Sequence, residues 1–171
     1  MTEQLETLPE VSIRSAQPED VSVLFDLILA LAKYEKLSDA VTGDAAALND
    51  HLFGERSYAE ALLAEWEGKS IGFALFFHNY STFLTQPGIY LEDLFVLPDY
   101  RGQGIGKGLI RQLARIAVDR GCGRLEWTVL DWNESAIGFY QHLGAAVLPD
   151  WRVCRVTGES LTDLAKDDRC G

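Results

Sequence analysis

Apolar positions change their spacing several times along the chain, and each change marks an element. Val11 to Ala16 reads as a short strand. Pro18-Glu19-Asp20 then supplies a helix start, after which Val21, Leu24, Phe25, Ile28 and Leu31 recur at the spacing of an amphipathic helix. Residues 44–52 form a second, shorter helix. Ala61 to Trp66 and Ile71 to Phe77 flank the turn Glu67-Gly68-Lys69, as in a β-hairpin, and Ile89 to Leu97 is a further strand stopped by Pro98. Helical spacing returns between Lys107 and Arg120 through Leu109, Ile110, Leu113, Ile116 and Ala117, with Gly121 placed as the cap. Arg124 to Leu130 reads as a strand, Glu134 to His142 as a helix closed by Gly144, and Trp151 to Val156 as a last strand ahead of a polar tail. Strands that come both as hairpins and as β-helix-β units predict an α/β (α+β) fold, a mixed sheet with helices on both faces. No repeat, linker or low-complexity run divides the chain, so residues 1–171 are expected to form a single domain.

Charge narrows the partners. The 15 Lys and Arg against 26 Asp and Glu give a formal charge of −11, which repels nucleic-acid backbones and favours small cations. Cys122, Cys154 and Cys170 are widely spaced and without CxxC spacing, so neither a disulfide framework nor a zinc site is indicated, and a reducing cytoplasm is expected. His51, His78 and His142 have no metal-ligand spacing, so no metal is expected. No apolar run approaches the roughly 18 residues of a membrane span, and no membrane partner is expected.

The chemistry concentrates in "YLEDLFVLPDYRGQGIGKG", residues 90–108. Glycines at 102, 104, 106 and 108 follow a strand and open a helix. A dinucleotide fingerprint begun at Gly102 would need glycine at Lys107, and a Walker loop ending at Gly106-Lys107 would need Ser or Thr at Gly108, so both fail. What remains is a backbone free to turn tightly and present bare N–H groups at a helix start, which suits a diphosphate. Arg101 adds a fixed positive charge. Upstream, strand alternation puts Tyr90, Glu92, Leu94 and Val96 on one face and Leu91, Asp93, Phe95 and Leu97 on the other. Each of the two acids then needs water, a cation or strong donors, and a site for an ammonium group supplies one.

"VLPDYRGQGIG" resembles the Arg/Gln-x-x-Gly-x-Gly/Ala signature of the GNAT N-acetyltransferases, with Gln103, Gly104, Ile105 and Gly106 at its core. "LAKYEKLSD", "YLEDLFV", "VLDWNESAIGFY" and the "GA" at 144–145 resemble the diamine acetyltransferase group of that family, and "EKLSD", "YST", "GQGIG" and "VLDWN" its thialysine N-epsilon-acetyltransferase branch. The resemblance implies a mostly antiparallel sheet and acetyl-CoA as co-substrate. Arg101, Gly102, Gln103, Gly104, Ile105, Gly106 and Lys107 would hold its pyrophosphate. The pantetheine arm would lie along Leu94, Phe95 and Val96, with Asn133, Ser135 and Tyr140 beside it. It further implies a homodimer, and an acceptor site drawing on Glu92, Asp93, Tyr34 and Phe83.

Transfer to an amine needs a neutral nucleophile, and an alkylammonium of pKa near 10.4 is neutral in fewer than about one molecule in a thousand at pH 7. By the resemblance Glu92 acts as base through water, and Tyr140 of "GFY" as the acid that protonates the leaving thiolate, a near-matched transfer. No Ser or Cys nucleophile with a base partner is visible, so direct attack in a ternary complex is expected. The spermidine/spermine branch carries "DPW" where this chain has Ser81-Thr82-Phe83, which favours lysine-like amino acids or short diamines over polyamines. An acyl-CoA sensor of the same fold, which binds without turnover, is the competing class; Glu92 and Tyr140 weigh against it.

Overall fold

The computed structural model describes residues 11–166. They fall into two compact units that divide in sequence at Thr128 and Val129. In the first, strands β1 (Val11–Ser15), β2 (Glu60–Trp66), β3 (Lys69–Ser81), β4 (Gln86–Val96) and β5 (Leu125–Glu126) lie in that order across one sheet. Every neighbouring pair is antiparallel except β4 and β5, which are parallel. Helices α1 (Val21–Tyr34), α2 (Ala45–Phe53) and α3 (Ile105–Asp119) belong to this unit, and α4 (Glu134–His142) and α5 (Gly158–Lys166) to the second.

Local chemistry fixes the element ends. The β2–β3 turn is made by Glu67 and Gly68, both at positive φ, the pairing that matches hairpin twist. The Asp44 carboxylate accepts from the Ala47 N–H at 2.8 Å and caps α2. At the start of α1, Asp20 accepts from the Gln17 N–H at 2.7 Å and from both terminal nitrogens of Arg14, which also donates to Glu65 on β2. One guanidinium thus ties the first two strands to the first helix.

Cross-strand partners show which side of the sheet each residue occupies. Leu63, Phe73 and Phe95 lie opposite one another on β2, β3 and β4, and they form one core with Leu24, Leu27 and Leu31 of α1 and Leu52 of α2. On the other side α3 buries Ile105, Leu109, Ile110, Leu113 and Ala117. A Cβ on Gly108 would come within 2.8 Å of Ile13 Cδ1, so this glycine lets α3 settle on β1. The mixed sheet with helices on both faces is what the hydrophobic pattern predicts, and its mostly antiparallel pairing is what the family resemblance implies.

Four stretches differ. The strands β3 and β4 run on to Ser81 and Gln86, because main-chain pairing continues through "HNYS" and "QPG", where no apolar alternation signals it. The strand expected over 124–130 pairs only at Leu125 and Glu126. The strand expected over 151–156 is not formed: these positions carry no regular element. The polar tail, for which no element is predicted, carries α5, with Leu161 and Leu164 exposed on it.

Candidate active site

The adjacent acids sit at a fault in the sheet. Leu75 of β3 pairs with Asp93, while the next residue, Phe76, pairs with Leu91, so Glu92 faces no partner and β4 bulges there. The extra residue breaks the two-residue alternation. Tyr90 lies opposite Phe77 and shares a side with Asp93, Phe95 and the α1 core, while Leu91 shares the α3 side with Leu94 and Val96. The sequence-based division of β4 into two faces is thus correct on each side of Glu92 but not across it. The bulge leaves Glu92 exposed and Asp93 half-buried.

Beside the bulge, the second edge of β4 is open. Its pairing with β5 stops at Tyr90, and among the described residues no strand pairs with that edge from Leu91 to Val96. Beyond the strand, Pro98–Tyr100 forms a single 3-10 turn, followed by the glycine loop. Gly102 and Gly104 take φ of +77° and +80°, which other residues adopt only with strain. The first helical hydrogen bond of α3 runs from the Gly108 N–H to the Gly104 carbonyl at 2.9 Å. Among the described residues no acceptor meets the N–H groups of 102–107. Free donors at a helix start fit an anionic group, and an open strand edge fits an amide-bearing arm. The four glycines are evenly spaced in the sequence. The structure separates them: 102 and 104 for conformation, 108 for packing against β1. Ile105 turns its side chain into the core, so it could hold a ligand only through its main chain, whereas Gln103 and Lys107 are exposed.

Arg101 does not extend freely into solvent. Its Nε donates to the Val96 carbonyl at 2.9 Å, and its guanidinium lies 4.2 Å from the centre of the Tyr34 ring and 5.4 Å from that of Phe95. Tyr34, Phe95 and Arg101 therefore converge around the α1 end of β4. Phe83 does not join them: it sits in the β3–β4 turn, almost fully exposed at 98%, and the strand from Gln86 to Glu92 alone spans about 20 Å. In the second unit, Asn133 caps α4 by accepting from the Ala136 N–H at 3.2 Å, which occupies its side-chain oxygen. Ser135 is exposed one turn earlier than Tyr140, whose ring packs against Phe139 at 5.3 Å.

Glu35, which follows α1, is a residue the sequence reading missed. Its charge, with that of Glu92, bears on Asp93. The signal was present: Glu35 continues the stripe Leu24, Leu27, Leu31 by one more four-residue step, so an acid sits where the next core residue would fall. Among the described residues no group of three or more His, Cys, Asp or Glu is placed to hold a metal ion. No described helix is long and apolar enough to cross a membrane.

Residues 29–145 match the model of the acetyltransferase (GNAT) family. A thialysine N-epsilon-acetyltransferase of Bos taurus is 41% identical over 166 residues, 91% of this chain and 97% of that protein. An L-ornithine N5-acetyltransferase of Arabidopsis thaliana is 50% identical over 95 residues, 56% of this chain and 42% of that protein. Among solved structures, an integron cassette protein from the mobile metagenome of V. cholerae superposes with a TM-score of 0.76 at 29% identity, covering 92% of this chain and 98% of that one.

Burial, then the charges of Glu92 and Glu35, push the Asp93 carboxyl up from 3.8 to about 6. A carboxyl raised by folding binds more protons folded than unfolded between those values, so its ionisation costs stability as pH rises through 6. Asp93→Asn should therefore stabilise the protein by roughly 2 kcal/mol at pH 7.5, with the gain nearly gone at pH 4. Urea unfolding at the two pH values measures it; an equal gain at both would mean that the Asp93 charge is not what is strained.

Proposed function

The chain belongs to the acetyltransferase (GNAT) family and is an acetyl-CoA-dependent N-acetyltransferase, and we propose that its acceptor is the primary amine of a small cationic molecule, a lysine-like amino acid or short diamine. The observation that supports this most is Asp93, half-buried beside two further acids and with its proton affinity raised, a place that an ammonium group would relieve. Relatives named for thialysine and L-ornithine, both amino acids with a side-chain amine, agree with it.

In this reading the free N–H groups of 102–107 and the Arg101 edge hold the diphosphate of acetyl-CoA, and the open edge of Leu94, Phe95 and Val96 pairs with its amide-bearing arm; the family resemblance assigns Asn133, Ser135 and Tyr140 to the same arm. Acetyl-CoA supplies the acyl group as a thioester. Glu92, put out of the ladder by the bulge, takes the proton of the substrate ammonium through water. The neutral nitrogen bonds to the acyl carbon as the carbon–sulfur bond breaks, the Tyr140 hydroxyl gives its proton to the departing sulfur, and the second proton the nitrogen sheds on becoming an amide restores the phenol. Asp93 and Tyr34 hold the acceptor's remaining charge and stem. Phe83, at the far end of the hairpin, could reach an acceptor only in a second copy. The exposed Trp151 and Val153, at 77% and 70%, are further candidate contacts for a homodimer.

A panel of lysine, thialysine, ornithine, short diamines and spermidine assayed with acetyl-CoA should give its highest kcat/KM among the amino acids and short diamines. Gly104→Val, strained at φ +80°, should weaken CoA binding at least about tenfold. CoA bound but no amine turned over would leave a sensor instead of an enzyme.

Tyr140→Phe should lower kcat by roughly 10²-fold or more with CoA affinity kept. The wild-type kcat/KM should rise above neutrality and fall again at the alkaline end, where the proton donor is lost, and this alkaline limb should change in the variant. A variant with normal kcat returns Tyr140 to a packing role.

For assembly, light scattering at micromolar concentration should give twice the chain mass. A monomer at every concentration tested removes the dimer from the reading.

A further inference from the structure

Two stretches distant in sequence, the end of α1 and the run from Phe95 to Arg101, meet on one guanidinium. Tyr34 ends α1, Phe95 and Val96 end β4, and Arg101 begins the glycine loop. The Arg101 plane lies 4.2 Å from the Tyr34 ring centre, its Nε is held by the Val96 carbonyl at 2.9 Å, and Tyr34 and Phe95 rings sit 6.2 Å apart at 52°. The face of the guanidinium is thus spent on aromatic rings, and its Nε on the main chain. Its two terminal nitrogens have no partner among the described residues and form the one edge left for an anion. Behind Tyr34 comes Glu35, whose charge acts on Asp93.

We propose that the Tyr34–Arg101 stack couples the two substrate sites: a diphosphate on the glycine loop and an ammonium at Glu35 and Asp93 each favour the same placement of the end of α1. Tyr34 is then a positioning residue for the donor, which it does not touch, as well as a neighbour of the acceptor. The physical argument is one of rotamer freedom. An arginine confined between an aromatic face and a carbonyl presents its free edge in a single orientation, so an anion binds without first ordering a long side chain. An anion that fixes this edge in turn fixes the ring beneath it, and with it the helix end that carries Glu35. Coupling of this kind is reciprocal, so acceptor should tighten donor binding by the factor by which donor tightens acceptor binding. The inference rests on the reading of 101–107 as the donor loop.

Calorimetric titration with CoA alone needs no turnover and tests it. Tyr34→Leu, at a half-exposed helix end, removes the ring and keeps an apolar side chain; it should weaken CoA binding about three- to tenfold, while Tyr34→Phe, which keeps the stacking face, should bind CoA as the wild type does. Arg101→Lys keeps the charge without the plane. It should cost several-fold in the wild-type background and much less in Tyr34→Leu, since both changes remove one interaction. Tyr34→Leu binding CoA normally, or Tyr34→Phe no better than Tyr34→Leu, or additive losses in the double variant, would each overturn the coupling while leaving the donor loop standing. A wild type that fails to bind CoA would remove the loop reading and the coupling together.

Discussion

The site depends on one strand that is paired along one edge and left open along the other. From Leu91 to Val96, β4 keeps its ladder to β3 and has no strand on its far side, because β5 contributes only Leu125 and Glu126. Unpaired backbone of that kind is normally a liability, to be covered or charged. Here three features follow from it. The bulge at Glu92 twists the strand where its second neighbour stops and turns a carboxylate out of the sheet. Asp93 stays within the ladder, half-buried on the α1 side. The chain leaves the strand through Pro98–Tyr100 into a loop whose N–H groups are also unpaired. A strand edge and a loop of free donors thus run consecutively, the layout an elongated ligand with amides at one end and phosphates at the other would need.

Much of this was legible in the order of residues because the elements involved carry local signals. The α1 and α3 stripes, the Glu67-Gly68 turn, the Gly121 and Gly144 helix ends and the glycine loop are all written in spacing or in residues that tolerate positive φ. What was not legible depends on partners. Alternation predicts faces only while the ladder is regular, and no residue type announces that Glu92 will slip out of register. The strand read over 151–156 shows the same limit from the other side: Trp151, Val153 and their neighbours have the composition of a strand, but a strand forms only by hydrogen bonding to another, which composition does not report. The continuation of β3 and β4 to a tight turn past His78 went unread because main-chain pairing there carries polar side chains.

The glycine run shows how one pattern can hold two physical causes. Regular spacing at 102, 104, 106 and 108 suggests one purpose, yet 102 and 104 are required by left-handed backbone, and 108 by the approach of α3 to Ile13. Sequence spacing could not separate them, since a side chain refused for lack of space and one refused for dihedral strain leave the same letter. Tyr34 and Arg101 are the opposite case. Nothing links positions 34 and 101 in the chain, and only their contact shows that the helix end bearing one acid and the loop bearing the free donors are held by one stack.

The two acids at the bulge differ in what their surroundings let them do. Asp93 is half-buried among like charges, so its ionised form is held at a cost that a bound ammonium would offset; it suits holding a charge. The same attraction would stabilise an ammonium against deprotonation, so a carboxylate that binds the reacting nitrogen itself opposes the attack of that nitrogen. An acceptor with two cationic groups resolves the conflict if the non-reacting group lies at Glu35 and Asp93 and the reacting one lies near Glu92. Glu92 is exposed, outside the ladder and open to water, which permits relay of a proton in place of a tight ion pair. The bulge separates the two duties by a single residue: it takes Glu92 out of the ladder while Asp93 stays paired with Leu75 on the α1 side.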